Sequence, residues 1–220
     1  MFARHRRWIA AQCRVFRNGS NPARLLVLAL AGSAVLATAA PAAGQDLHPS
    51  RRPSPIGIAK THIGEAYVKV TYGRPYMRGR QIFGTPTDTV TFLVPYGELW
   101  RTGANEATEL TTTAPLLVAG RRLEAGTYAL FTVPGADTWS VRFSPQLGLD
   151  GTARFNEATG QFEPGYDAEQ DVLRVEVTSA RTDEVADQFT IEFERTTSGT
   201  DLVLRWERTE VRLPLAAAER

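Results

Sequence analysis

Two short stretches of this 220-residue chain concentrate the side chains that bind or react. Residues 71–80, TYGRPYMRGR, place Arg74, Arg78 and Arg80 among Tyr72, Tyr76 and two glycines. Guanidinium groups this close in sequence repel one another, so they must be exposed, paired with carboxylates, or turned toward an anion such as phosphate, sulfate or carboxylate. Residues 100–108, WRTGANEAT, add Trp100, Arg101, Asn105 and Glu106, with Tyr96 just upstream. Glu98 and Glu106 are the natural partners of the three arginines. Such pairing makes a structural network, yet a guanidinium held by one carboxylate still offers its other donors to a ligand. The chemistry expected of this set is recognition: a pocket of Tyr72, Arg74, Arg78, Arg80, Tyr96, Trp100, Arg101, Asn105 and Glu106. In it the arginines supply bidentate donors, Asn105 donates and accepts, Glu106 orients an arginine, and the aromatic rings form walls or pack as core.

Other chemistries find no residues. His48 and His62 are the only histidines beyond the first 44 residues, and no His-x-His, HExxH or Cys/His spacing occurs. A zinc or copper site and a histidine-based hydrolase are not expected, and His62 reads as a structural hydrogen-bonding residue. There is no nucleophile elbow, P-loop or dinucleotide fingerprint, and no cofactor is expected. Asp150, Asn156, Glu157, Glu163, Asp167, Glu169 and Asp171 crowd one segment with the oxygen ligands calcium takes, but they match no full EF-hand pattern, so the segment reads as a solvated connection without a metal.

The elements that must position these residues are strands. Apolar residues alternate with a period of two at Ala66, Val68, Val70; Trp139, Val141, Phe143; Phe189, Ile191, Phe193; Leu202, Leu204, Trp206; and Val211, Leu213, Leu215. Further runs at 89–94, 107–112, 116–119, 128–133 and 172–177 bring the count to about ten strands. No helical period is sustained, and glycine-bearing turns separate the runs, which predicts an all-β fold: an antiparallel β-sandwich or a partly closed barrel. Within it, residues 99–101 end one strand, Thr102-Gly103-Ala104-Asn105 turn the chain because Gly and Asn tolerate positive φ, and Glu106 starts the next strand. Residues 145–170 are too long for an ordinary connection and read as either a functional or a disordered loop.

The first 44 residues carry six arginines and no acid before an apolar run over residues 25–37 and small residues after it. This order predicts a signal peptide over 1–44, cut between Ala39 and Gln45. Residues 45–57 read as a flexible lead-in, 58–215 as one domain and 216–220 as a tail. Cleavage would remove Cys13, the only cysteine, and leave 19 basic against 24 acidic residues. A net charge of −5 disfavours nucleic acid as a partner, and after cleavage no membrane span is expected.

The ordered segments YGRPYMRGRQIFG, LVPYGELWRTGANEAT, LEAGTYALFTVPG, WSVRF and DVLRVEV resemble an exported bacterial family known as domain of unknown function 2911. The resemblance covers roughly residues 56–215 and implies export and a β-rich domain; it brings no activity, substrate or cofactor. Residues 147–171 depart from the family pattern in length and lack its tryptophan-glycine pair. The function expected is an exported, periplasmic or secreted module that binds a small anionic or saccharide ligand, or an envelope partner. The alternatives are a hydrolase or lyase of envelope polymer using Glu106 and Arg101 with help from Tyr96, and a structural adaptor domain.

Overall fold

The structure is a computed structural model and describes residues 51–219. The predicted signal segment and the first residues of the lead-in lie outside them. Thirteen strands form: β1 (Ile56–Ile63), β2 (Ala66–Gly73), β3 (Phe83–Gly84), β4 (Val94–Pro95), β5 (Thr108–Thr112), β6 (Leu116–Val118), β7 (Arg121–Leu123), β8 (Gly126–Val133), β9 (Thr138–Ser144), β10 (Ala153–Asn156), β11 (Gln161–Pro164), β12 (Leu173–Thr196) and β13 (Gly199–Ala217). Nine of them make one sheet in the order β1-β2-β5-β8-β9-β12-β13-β6-β7, with every neighbouring pair antiparallel. The all-β antiparallel fold is the one the alternation predicts. The sheet is not closed into a barrel: among the described residues no ladder joins β1 to β7 or to β12.

β12 and β13 make this one sheet serve as two layers. Residues 173–178 of β12 pair with β9, whereas 179–181, Ala186 and 190–196 pair with β13, and register shifts fall between Arg181 and Thr190. The alternating sets at 172–177 and 189–193 therefore belong to one strand, as do those at 202–206 and 211–215. In β13 the alternating buried set is even-numbered up to Trp206, with Val203 buried as well, and odd-numbered from Val211. Glu207, with φ of 57°, pairs with Ala186 at this change of phase, in an irregular stretch where β12 spends eight residues between Arg181 and Thr190 against three in β13 between Thr209 and Arg205. Inward residues of β2, β9, β12 and β13 meet in one core, whose centre is Trp100, Trp139, Trp206, Phe83 and Phe189.

Several boundaries differ from expectation for local reasons. The run at 89–94 contributes only Val94 to a strand, because the Thr87 hydroxyl accepts from the Thr89 and Val90 amides and holds a turn there. β1 begins at Ile56, two residues inside the predicted lead-in, and Pro53, Ser54 and Pro55 already lend their carbonyls to Arg78, Asn105 and Arg74. β13 runs into the predicted tail, with Ala216 and Ala217 paired to β6.

Residues 145–170 are neither disordered nor an open loop. They carry the β10–β11 hairpin, and Leu149 before it and Tyr166 after it cover Ala107, Ala129 and Phe131 in a second small core on the outer face of the sheet. Gln146 holds the segment by bonding both Ser144 and Asp167. Asp171, its carboxylate buried, accepts from the Tyr166 hydroxyl at 2.7 Å and from Arg174 Nε at 2.8 Å. Arg142 donates to the same tyrosine. Glu163, Asp167 and Asp171 thus tie chain to chain, and among the described residues no three metal-type side chains gather into a site.

Candidate functional site

The nine residues expected to form one pocket separate into four places. Tyr72 points inward from β2, and its hydroxyl donates to Ile191 O at 3.0 Å and accepts from Ile191 N–H at 2.8 Å. It thereby satisfies the edge of β12 and holds the two layers together; burial pushes its pKa up and keeps it a neutral donor and acceptor. Arg74 follows at the end of β2 and donates through Nε to Phe189 O and through Nη2 to Thr190 Oγ1. Arg78, with φ of 52°, and Gly79 form a tight exposed turn. There Arg78 donates to Pro53 O, and Arg80 folds back onto the carbonyls of Tyr76 and Met77. Among the described residues no carboxylate pairs with them: the mutual repulsion of the three arginines is relieved by main-chain oxygens, by the Thr190 hydroxyl and by exposure.

Trp100 is core. It is 8% exposed, its ring lies 5.0 Å from Phe189 and 5.9 Å from Trp206, and its indole N–H donates to Gly103 O. Tyr96 packs half-buried against the same core, near Glu207 and Asp137; burial, reinforced by those carboxylates, raises its pKa. Neither ring walls a pocket with the arginines.

The corner at 102–105 takes positive φ at Asn105, as predicted, but at Thr102 in place of Gly103. The residues with positive φ are Thr102, at 56°, and Asn105, at 64°. Gly103 is required instead by crowding: a Cβ there would lie 3.0 Å from Gly73 O, and a Cβ at Gly73 would lie 2.0 Å from Ala104 O. The end of β2 and the corner therefore touch backbone to backbone. Thr102 is fully buried, with its hydroxyl shared with Thr132 and its carbonyl accepting from Thr108.

Glu106 answers a different arginine from the three proposed. Arg52 donates to both of its oxygens, at 2.5 and 2.7 Å, while Asn105 Nδ2 reaches Ser54 O. Glu98 is exposed and enters no ion pair among the described residues. Arg101 lies over Gly151, close enough to Glu106 to act on it by charge, with its Nε shut from solvent and unbonded. Partial burial raises the Glu106 pKa, but the Arg52 hydrogen bonds and the two nearby charges outweigh it and leave the group below its ordinary value. A general acid working near neutral pH needs the opposite shift.

This depressed pKa gives a pH prediction with a definite sign. A carboxylate whose pKa is lower folded than unfolded contributes stability above its unfolded value near 4.5 and loses it as pH falls through the folded value. Wild type is therefore expected to melt above Glu106→Gln at pH 7, with the gap closing below about pH 4. Thermal melts of both proteins across this range test it; a gap that persists at low pH would mean that the ion pair is not its source.

What the fold builds around Arg74 is an open groove of about 390 Å³ between β1 and β12. Gly57 forms part of its lining and lets Arg74 and Tyr72 lie close, since a Cβ there would fall 2.5 Å from Arg74 Cδ and 2.7 Å from Tyr72 Cζ. Lys60 and Arg195 add two more cations, and no ion pair holds either of them among the described residues. The groove's one carboxylate, Glu192, is bound by Arg205. The backbone of both edges also faces this space. The Arg74 N–H to Pro55 O bond sets the alternation in β1, so that Ile58, Lys60 and His62 turn their amides and carbonyls away from β2. On the opposite edge the Tyr72–Ile191 bonds fix the same parity, leaving Phe193 and Arg195 turned outward. A second hollow, lined by Arg80, Gln81 and residues 89–93, has one cation only.

Lys60 and Arg195 were not legible as site residues. They stand far from Arg74 in sequence and bear on it only because two sheet edges meet; the only available hint was that a lysine interrupts the outer face of a strand.

A family model described as a protein of unknown function, DUF2911, matches residues 54–215. No curated protein and no solved structure matches the chain.

Proposed function

The chain belongs to the DUF2911 family of proteins of unknown function, and from that premise we propose that it is an exported β-sandwich module that binds a small anionic, hydroxyl-bearing ligand in the groove between β1 and β12. One observation carries this: Lys60, Arg74 and Arg195 surround the groove, and none has a carboxylate partner among the described residues. The unpaired strand edges and Thr61 supply neutral donors and acceptors for hydroxyl groups. Half-buried Phe193 offers an apolar wall for C–H faces. Of the residues first singled out, Tyr72 shapes the floor and Arg74 contacts the ligand. Export, to the periplasm or the medium, rests on the arginine-rich and then apolar order of residues 1–44.

Titration calorimetry with D-galacturonate and with inorganic phosphate tests the groove. Exposed Arg195 and Lys60 are the informative positions, because Arg74 is bonded into the fold. Arg195→Gln and Lys60→Gln are each expected to weaken binding roughly tenfold, the worth of one charge-assisted hydrogen bond, and added salt to weaken it further. If neither anion binds at about 10 mM, or if both variants bind as wild type does, the groove is not an anion site.

A further inference from the structure

The chain contains two lysines against 23 arginines, and the two stand directly opposite each other, Lys60 on β1 and Lys69 on β2. The parity set by the Arg74–Pro55 bond makes this a non-hydrogen-bonded pair, the closer of the two antiparallel arrangements, with Cα atoms about 4.5 Å apart. Like charges at such positions destabilise a sheet. No carboxylate relieves them by an ion pair among the described residues; Glu109, the nearest acid by register, lies opposite Thr71, on the diagonal from Lys69. The remaining neighbours on this face are Ile58, His62, Tyr67 and Thr111.

A lysine on an edge strand guards against unwanted strand pairing, and Lys60 serves that purpose by itself. Lys69 cannot, because β2 is paired on both sides, to β1 and to β5. Lys69 stands, however, next to the groove: Arg195, Arg74 and Lys60 line it, and Lys69 is the residue directly opposite Lys60 across the β1–β2 ladder. The groove is open, so a chain can enter it and leave over β1.

Building on the groove as an anion site, we propose that its ligand is a linear acidic glycan of at least two uronate units. One carboxylate sits in the groove within reach of Arg74, Arg195 and Lys60, and the next is held by Lys69 on the far side of Lys60, which the two subsites share. Lys69 then serves as a second cationic subsite, and the repulsion within the lysine pair is relieved when the ligand binds. Flexible ammonium groups on four-carbon stems suit a carboxylate at variable reach better than the fixed fork of arginine does. A sugar chain is favoured over other polyanions by the hydroxyl-matching edges, Thr61 and the exposed Ile58 beside the path.

The experiment compares D-galacturonate, tri-galacturonate, tripolyphosphate and tri-glutamate by calorimetry on wild type, Lys69→Gln and Arg195→Gln. Tri-galacturonate is expected to bind wild type at least about tenfold more tightly than the monomer, since the second contact is intramolecular. Lys69→Gln should abolish that gain and leave monomer affinity unchanged, whereas Arg195→Gln should weaken both sugars. Equal affinity for monomer and trimer, or a Lys69→Gln protein that keeps the full gain, overturns the second subsite while leaving the groove intact. Tighter binding of tri-glutamate or tripolyphosphate than of tri-galacturonate overturns the glycan assignment. Binding of no anion at all removes the groove and the proposal with it.

Discussion

Trp100→Ala is expected to cost about 3–5 kcal/mol of folding free energy, the range for removing a large buried aromatic side chain without collapse of the cavity. The indole packs on four rings, Phe83, Trp139, Phe189 and Trp206, contributed by both layers of the fold. Its backbone also pairs with Thr132 in both directions, at 2.8 and 2.9 Å, which places the ring where it cannot turn away. Loss of the side chain leaves Gly103 O without the indole donor at the corner. Urea denaturation should show the midpoint falling with an unchanged slope, and Trp100→Phe should recover part of the loss. A decrease below about 1 kcal/mol would return Trp100 to the role of a ligand wall.

The second large effect is at Gly73. An alanine there drives its Cβ to 2.0 Å from Ala104 O and 2.8 Å from Ala104 C, contacts that only movement of backbone can relieve. The chain has little freedom to move, because Gly73 closes β2 against Ile56 and the corner is anchored by buried Thr102 and Trp100. Gly73→Ala should therefore cost about 3 kcal/mol, the upper range for inserting volume into a packed site. Gly97→Ala is the control: with φ of 82° and no atom within 4 Å of the new Cβ, it meets only the conformational penalty of about 1–2 kcal/mol. Equal losses for the two variants would mean that β2 and the corner are not in backbone contact. Since Arg74 follows Gly73 directly, a shifted strand end should also disturb the groove, and anion affinity measured on Gly73→Ala should fall together with stability.

These two residues illustrate how differently legible the molecule is. Trp100 lay in no alternating set, and two uses were open to it, core and ligand wall; the choice depended on Phe189 and Trp206, which come from strands near the other end of the chain. The glycine of the corner was visible, but its reason was not. Sequence suggested positive φ at Gly103 and Asn105; Asn105 has it, but Thr102 takes it in place of Gly103, which yields space to β2. The change of phase between Trp206 and Val211 was likewise in plain view as two alternating sets, and only the irregular pairing around Glu207 shows that one strand holds both.

The partners of the arginines mark the same limit. A charge cluster reports that its charges must be satisfied, not by what; here Phe189 O, Pro53 O and Tyr76 O take the places proposed for Glu98 and Glu106. Arg52, which sits in a segment without any periodicity, takes Glu106.

By itself the sequence determined the all-β class, the antiparallel sense, the inward faces of most long strands and family membership, because alternation and turn chemistry are local and repeat along the chain. Tertiary structure alone decided the order of the strands, the folding of one sheet into two layers through β12 and β13, and the meeting of Lys60, Arg74 and Arg195 in a groove. Those three cations come from strands that no local pattern relates, and their proximity follows from how far β12 bends before its free edge comes to rest beside β1.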